Sequence, residues 1–201
     1  MSTQIPPKWT DPPLSWRTIS GSSVAIIDQN DSVTYAELRI KVLSAVEALR
    51  RTLDACDQPV IAIAIPLGLD FTIALLSSLD TGALIVPLDS GLPSERMHEI
   101  LRDAQPNLII ASEETLPQIQ SMQPDWKALT LRDLIETNQQ VLVHPTPTDW
   151  RGVLLYTSGT TGNPKGVLVP GEMLIREART LIDRIGIVQQ DRISTCYRRA
   201  S

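Results

Sequence analysis

Nine consecutive residues bring together the chemical groups that could hold a phosphate. The run Thr157-Ser-Gly-Thr-Thr-Gly-Asn-Pro-Lys165 carries four hydroxyl side chains and two glycines, and it ends in a lysine. Glycines let backbone N–H groups approach an anion closely, and small hydroxyls add further donors without bulk. The lysine adds a point charge, and successive N–H groups in such turns form a concave anion site. The run therefore indicates a phosphate-binding loop.

The loop lies between two apolar runs, Val153-Leu-Leu-Tyr156 and Gly166-Val-Leu-Val169. Runs of this length and composition are typical of strands, so the arrangement predicts a strand, a loop and a second strand. The alternative interpretation is a surface hairpin in which Ser, Thr and Gly only form turns. A turn does not require this density of donors together with a terminal lysine, which favours phosphate binding.

The Walker A loop, G-x-x-x-x-G-K-[ST], is the other known phosphate loop to consider. Counting from Gly159 places Lys165 at the lysine position of that motif. However, Pro164 precedes the lysine and Gly166 follows it, where the motif has Gly and then Ser or Thr. Walker A also continues directly into a helix, whereas the residues after Lys165 are typical of a strand. The pattern therefore argues against a P-loop NTPase.

The elements before the loop predict an α/β fold. Strand-like residues at 24–27 and 33–35 flank turn residues and predict a β-hairpin, and Thr34 with Glu37 forms a capping box that opens a helix. Apolar residues of that helix recur at the helical period, at Leu38, Val42, Ala45, Val46, Leu49 and Leu53. Strands at 60–65, 83–86 and 108–111 then alternate with helices at 69–79 and 93–104, which implies parallel strands joined by crossovers.

The remaining segments are less regular. The sequence predicts a helix at 113–122, with Pro117 awkwardly inside it, a short strand at 128–131 and a short helix at 132–138. Two prolines make 141–150 a connector, and the last elements are strands at 153–157 and 167–169 and a helix at about 172–185. No internal repeat or low-complexity tract interrupts them.

Composition and charge exclude several classes of function. The 201 residues include 18 Lys and Arg against 23 Asp and Glu, for a net charge of −5, which argues against nucleic-acid binding driven by phosphate contacts. Cys56 and Cys196 are too few for a disulfide framework, and His98 and His144 lie far from both, so no zinc site is predicted. No apolar run approaches the roughly 18 residues of a membrane helix, and no signal peptide is evident. A soluble, cytoplasmic protein without membrane contact is expected.

The run from Tyr156 to Gly166 resembles the signature of the adenylate-forming (AMP-binding) superfamily at every position usually quoted. That superfamily contains the adenylation domains of nonribosomal peptide synthetases, acyl-CoA synthetases and luciferases. Val33-Thr-Tyr-Ala-Glu-Leu38 resembles its first core motif, and the segment from Leu79 to Asp89 resembles the second, with Asp80 where Lys is common. Pro93-Ser-Glu-Arg96 and the following helix are most similar to the peptide-synthetase branch.

The resemblance implies ATP-dependent activation of a carboxylic acid, an amino acid by its branch, as an acyl-adenylate. Mg²⁺ would accompany ATP, and a carrier-protein thiol is the implied acceptor of the acyl group. In this scheme the loop residues would hold the β- and γ-phosphates and so orient the leaving pyrophosphate by electrostatic contacts. The phosphate-binding residues implied are Thr157, Ser158, Gly159, Thr160, Thr161, Gly162 and Lys165.

The sequence also departs from the resemblance. It contains none of the segments that the family places downstream, which contact adenine, ribose and magnesium and supply the catalytic Lys, so no catalytic residue or metal ligand is assigned. The domains expected are an irregular arm at 1–22 and a truncated adenylation domain at 23–201, the first half of the large N-terminal domain. The fragment is expected to be inactive alone and to leave sheet and helix surfaces uncovered. Two alternatives remain open. The chain could be a fragment of an acyl-CoA or fatty-acyl ligase, or it could be a non-catalytic remnant or accessory chain.

Overall fold

The computed structural model of the chain describes residues 21–28, 31–53, 56–136, 150–157, 164–188 and 191–194. Residues 1–20 of the predicted N-terminal arm and residues 141–149 of the predicted connector lie outside these ranges. The strands are β1 Val24–Asp28, β2 Asp31–Thr34, β3 Val60–Ala64, β4 Leu84–Pro87, β5 Leu108–Ala111, β6 Ala128–Thr130, β7 Gly152–Thr157 and β8 Lys165–Pro170. The helices are α1 Tyr35–Thr52, α2 Leu69–Asp80, α3 Ser94–Ala104, α4 Leu116–Met122, α5 Leu131–Glu136 and α6 Gly171–Ile185.

A six-stranded sheet organises the chain, in the order β6-β5-β3-β4-β7-β8. The pairs β3 with β4, β3 with β5, β4 with β7 and β5 with β6 are parallel, and only β7 with β8 is antiparallel. The chain proceeds from β3 to β4 on one side and then crosses to β5 on the other, as in doubly wound sheets. The predicted parallel-rich α/β fold is confirmed.

Helices cover both faces of this sheet. Ile61 and Ile63 of β3 pack into one core with α1, α2 and α5, while Ala62 and Ala64 of the same strand face a second core with α3 and α4. Alternate side chains of a strand point to opposite faces, so a strand between two helical layers must be apolar throughout. This explains why 60–65 is an unbroken apolar run rather than an alternating one.

The hairpin of β1 and β2 leads into α1 through the predicted capping box. The Glu37 amide donates to Thr34 Oγ1 at 3.3 Å, and the Thr34 amide donates to Glu37 Oε2 at 2.8 Å. These two bonds satisfy amides that a helix leaves without partners at its start. The six apolar positions that predicted the inner face of this helix are all buried.

Several predicted boundaries differ from the structure by one to three residues, and β8 begins at Lys165 rather than at 167. Two of the differences follow from local backbone requirements. Helix α4 begins at Leu116 rather than at 113, with Pro117 in its first turn, where the missing amide costs no helical bond. Helix α5 begins at Leu131, which was predicted to end a strand. Thr130 and Asp133 exchange backbone-to-side-chain hydrogen bonds of 3.0 and 3.1 Å, and this cap fixes the start of the helix.

Half of the large exposed apolar side chains of the described residues lie on β7, β8 and α6, at one edge of the sheet. Helix α6 packs against β7 and β8, yet Gly171 is its only buried residue within the described ranges. The exposed apolar side chains of this region are Leu155 on β7, Val167 and Leu168 on β8, and Met173, Leu181 and Ile185 on α6. Exposed apolar side chains at the edge of a sheet favour association in water.

We expect the 201-residue chain to self-associate through this edge. Replacing Leu181 and Ile185, which are 55% and 63% exposed, by Lys should reduce association, because the charged groups must then be desolvated in any contact. Size-exclusion chromatography over a range of protein concentrations measures the effect. Ile40→Lys is the control, since Ile40 is 60% exposed but lies on α1. A concentration-independent monomer for the unaltered chain would contradict the expectation.

Candidate functional site

The predicted phosphate loop joins the two strands of an antiparallel hairpin. Thr157 ends β7 and Lys165 begins β8, and the two residues are direct cross-strand partners. Both side chains are exposed. Residues that pair directly across a ladder lie on the same face, so the register places the loop's first hydroxyl and its lysine side by side.

Of the seven predicted site residues, the structure describes these two. Ser158, Gly159, Thr160, Thr161 and Gly162 lie outside the described residues, and their predicted contacts with phosphate stay predictions. Pro164, which precedes the lysine, is described and lines an open cavity of about 240 Å³ with Glu99, Arg102 and Asp103 of α3. The two ends of the loop are therefore defined, together with the helix beside them.

The hairpin places the loop at a functional edge of the sheet. Strand β7 is parallel to β4, so the loop leaves the sheet at the same edge as the segments that follow β3, β4 and β5. Ligands of open α/β sheets bind at the carboxyl ends of the strands. An exposed lysine and hydroxyl at this edge suit an anion such as a phosphate.

The start of β7 is held tightly against its neighbours. The Trp150 indole donates to the Ala83 carbonyl at 3.2 Å, which fixes the entry to β7 next to β4. Gly152 has φ +121, and a Cβ there would collide with the Val169 carbonyl oxygen and approach the Gly171 nitrogen to 2.8 Å. Only glycine meets both requirements, so β7 and β8 can approach this closely at the end of the hairpin opposite the loop.

The other end of β7 is held by side chains of α3. The Tyr156 hydroxyl donates to Asp103 Oδ2 at 2.6 Å, and Arg96 Nη2 donates to the Thr157 carbonyl at 3.3 Å. Gly166 lies opposite Tyr156, and a Cβ on it would come within 3.2 Å of the tyrosine ring. The glycine thus leaves room for the ring to lie across β8 while its hydroxyl reaches the helix.

Burial and the neighbouring carboxylate change the acidity of this tyrosine. Partial desolvation of the phenol, followed by the hydrogen bond to Asp103 and the charge of that carboxylate, raises the pKa of Tyr156 well above its ordinary value. Each of these effects disfavours a phenolate. The hydroxyl therefore remains a proton donor to Asp103 at neutral pH.

Sequence reasoning missed the part played by α3. Arg96, Glu99 and Asp103 are spaced three and four residues apart and so form one stripe along the helix, beside the buried positions Met97 and Leu101. A polar stripe next to an apolar one is usually interpreted as solvated surface. The missing information was that the end of β7 packs there, which the spacing alone does not reveal.

The described residues contain no group of three or more His, Cys, Asp or Glu side chains that could hold a metal ion. None of the helices described is long and apolar enough to cross a bilayer.

The family model described as AMP-binding enzyme matches residues 17–197. Vanchrobactin synthetase VabF of Vibrio anguillarum is 30% identical over 178 residues, which cover 86% of this chain and 6% of that protein. Enterobactin synthase component F of Escherichia coli (strain K12) is 30% identical over 146 residues, which cover 72% of this chain and 11% of that protein.

Solved structures give the same result for the fold. The Klebsiella oxytoca NpsA N-terminal subdomain superposes with a TM-score of 0.62 at 27% identity, covering 74% of this chain and 38% of that one. The o-succinylbenzoate CoA synthetase MenE of Bacillus subtilis superposes with a TM-score of 0.74 at 20% identity, covering 92% and 48%. The chain spans less than half the length of each of these four proteins. The match to the family model extends over most of the chain, and the predicted resemblance is confirmed: the chain belongs to the family of AMP-binding enzymes.

Proposed function

We propose that this chain supplies the ATP phosphate-binding part of an enzyme that activates a carboxylic acid as its acyl-adenylate. The observation that carries the proposal is the pairing of Thr157 with Lys165 at the carboxyl edge of the sheet, in a member of the AMP-binding family. This pairing sets a hydroxyl donor and a cation at the two ends of a loop rich in glycine and hydroxyl groups. Such a loop suits the β- and γ-phosphates of ATP.

The reaction is a displacement at phosphorus. A carboxylate oxygen of the acid forms a bond to the α-phosphorus of ATP, the bond from that phosphorus to the bridging oxygen breaks, and pyrophosphate leaves with the electron pair. The loop residues Thr157, Ser158, Thr160, Thr161 and Lys165, with the backbone of Gly159 and Gly162, neutralise and orient the leaving pyrophosphate. This is catalysis by positioning and charge, with no covalent bond to the protein.

The relatives support a class of substrate for this proposal. Gramicidin S synthase 1 of Brevibacillus brevis is 26% identical over 174 residues, and solved structures of the NpsA subdomain, at 28% identity, contain 3-hydroxyanthranilyl-AMSN or 3-hydroxybenzoyl-AMSN. These relatives support a small carboxylic acid, an amino acid in the peptide-synthetase branch, as substrate. A carrier-protein thiol is the proposed acceptor of the activated acyl group. Enzymes of the family use Mg²⁺ with ATP, and the described residues contain no group of three or more His, Cys, Asp or Glu side chains that could hold a metal ion.

The loop should distinguish ligands that carry the outer phosphates of ATP from AMP, which lacks them. Lys165→Ala should weaken binding of ATP and pyrophosphate by about 10- to 150-fold, the equivalent of about 1.5–3 kcal/mol for a charge-assisted contact. Binding of AMP should be nearly unchanged, because the loop holds the outer phosphates. Thr161→Ala should act in the same direction by a smaller factor, since a neutral hydroxyl contact is worth about 0.5–1.5 kcal/mol. Calorimetric titration of the chain with each ligand measures the affinities.

Lys127→Ala is the matched control, because Lys127 is also exposed but precedes β6 at the opposite edge of the sheet. It should leave the affinities for ATP and AMP unchanged. Equal losses for ATP and AMP in Lys165→Ala, or no loss for either, would show that the loop does not hold the outer phosphates. A loop that only forms a turn predicts altered stability without nucleotide selectivity.

The 201 residues by themselves are expected to be inactive. We expect them not to catalyse carboxylate-dependent exchange of pyrophosphate into ATP, because they span 38% of the NpsA subdomain and the family resemblance places the ribose, magnesium and catalytic-lysine segments elsewhere. The assay uses labelled pyrophosphate and the common amino acids. Exchange above that of the Lys165→Ala variant would contradict the expectation and would assign activity to the chain as it stands.

A further inference from the structure

Two consecutive residues at the entrance to the loop are each tied to the same helix. Tyr156 reaches Asp103 through its hydroxyl, and Thr157 accepts a hydrogen bond from Arg96 at its backbone carbonyl. Both partners belong to α3, which is 53 or more residues earlier in the chain. We propose that Arg96 and Asp103 are positioning residues that hold the entrance of the phosphate loop in its ATP-binding geometry. The proposal rests on the function proposed above and assigns its positioning to α3.

The two contacts restrain different motions of the strand. Arg96 and Asp103 are seven residues apart, about 10 Å along the helix axis. A contact at the backbone of Thr157 fixes the position of the strand end, whereas a contact at the tip of the Tyr156 side chain prevents rotation about the strand axis. Because side chains alternate between faces, the hydroxyl of Thr157 and the amine of Lys165 lie on the face opposite the Tyr156 ring. The helix therefore holds the loop without occupying the face that carries these groups.

The side chain of Arg96 is also oriented by a contact within α3. Its Nη1 donates to Glu99 Oε2 at 3.1 Å, and its side chain is 21% exposed. The guanidinium is a rigid planar fork, so fixing one arm on Glu99 directs the other arm towards the Thr157 carbonyl. A lysine could satisfy one of these acceptors but could not span both in the same way. The geometry thus requires arginine rather than a positive charge alone.

A loop that binds phosphate gains affinity when its donors are already in place. Ordering a segment on binding costs free energy, and a segment fixed in advance avoids much of that cost. Supporting contacts around a binding site act by this route and need not touch the ligand. We therefore expect variants at Arg96 and Asp103 to weaken binding of ATP and pyrophosphate while leaving α3 and the sheet folded.

The hydrogen bond between Tyr156 and Asp103 has a pH signature. The folded chain holds the pKa of Tyr156 above its ordinary value, so the unfolded chain releases this proton first, near pH 10. The stability gained from this group is present below that pH and is lost as the pH rises through the folded pKa. The charged groups on the neighbouring elements are Glu95, Arg96, Glu99, Arg102 and Asp103 on α3 and Lys165 on β8.

Comparison with Tyr156→Phe isolates this contribution. The unaltered chain should lose more stability than the variant between pH 9 and pH 11, so the difference between the two should shrink as the pH rises. Urea unfolding at fixed pH values, followed by circular dichroism, measures the difference. Parallel pH profiles for the two chains would show that the hydroxyl makes no such bond.

The decisive experiment measures hydrogen exchange of residues 157–166 in the 201-residue chain without nucleotide, by mass spectrometry. Arg96→Gln and Asp103→Ala should each raise exchange in this segment, whereas Asp103→Asn, which keeps an acceptor oxygen for the tyrosine, should restore it towards the unaltered level. Arg132→Gln is the matched control, because it breaks an exposed ion pair with Glu136 on α5, near the opposite edge of the sheet. Circular dichroism confirms that each variant remains folded.

The same variants are then titrated with ATP. Arg96→Gln and Asp103→Ala should lose about 2- to 13-fold in affinity, less than the loss of a charge-assisted contact to ATP itself, because neither side chain touches the ligand. Unchanged exchange at 157–166 in both variants would overturn the positioning role whatever the nucleotide result. If exchange rises as expected but the unaltered chain does not bind ATP, the positioning role stands and the proposed phosphate site fails. If ATP binds with equal affinity to all variants, the site stands and α3 does not position it.

Discussion

The register of the β7–β8 hairpin is the constraint on which the candidate site depends. Thr157 opposite Lys165 sets the two ends of the loop side by side, and the same register sets Gly166 opposite Tyr156. Side chains alternate along a strand, so a shift of one residue would move the lysine to the other face and place a side chain under the tyrosine ring. The close approach at Gly152 fixes this register at the end of the hairpin opposite the loop.

The rest of the fold supplies a fixed platform for this hairpin. A parallel strand buried between two helical layers has no exposed face, and β3 and β4 accordingly have side chains in both cores. Strand β7 joins that platform through its pairing with β4 and through the Trp150 indole. Helix α3 then reaches the far end of β7 from the face that contains α4. The hairpin is thus held at its start by the sheet and at its end by a helix.

Much of this architecture could be predicted from the sequence, because the signals were local. The capping box at Thr34, the apolar period of α1 and the continuous apolar run of β3 each report their own environment. The predictions differed from the structure where a longer-range partner or a competing local bond decided the outcome. Pro117 moved the start of α4, and Thr130 with Asp133 moved the start of α5.

The contacts of Arg96 and Asp103 could not be predicted. The spacing of residues in α3 shows which side chains share a face of the helix, but it does not show that β7 lies next to β4 in the sheet. Most of the loop itself lies outside the described residues, so its phosphate contacts stay predictions.

The register also ties both ends of the loop to the sheet. Because Thr157 and Lys165 are partners in the ladder, the segment between them is closed at its two ends by backbone pairing. The distance between these two ends is therefore set by the sheet. A ligand at the loop would be anchored through two strands at once, and one of them, β7, is itself paired with β4 inside the sheet.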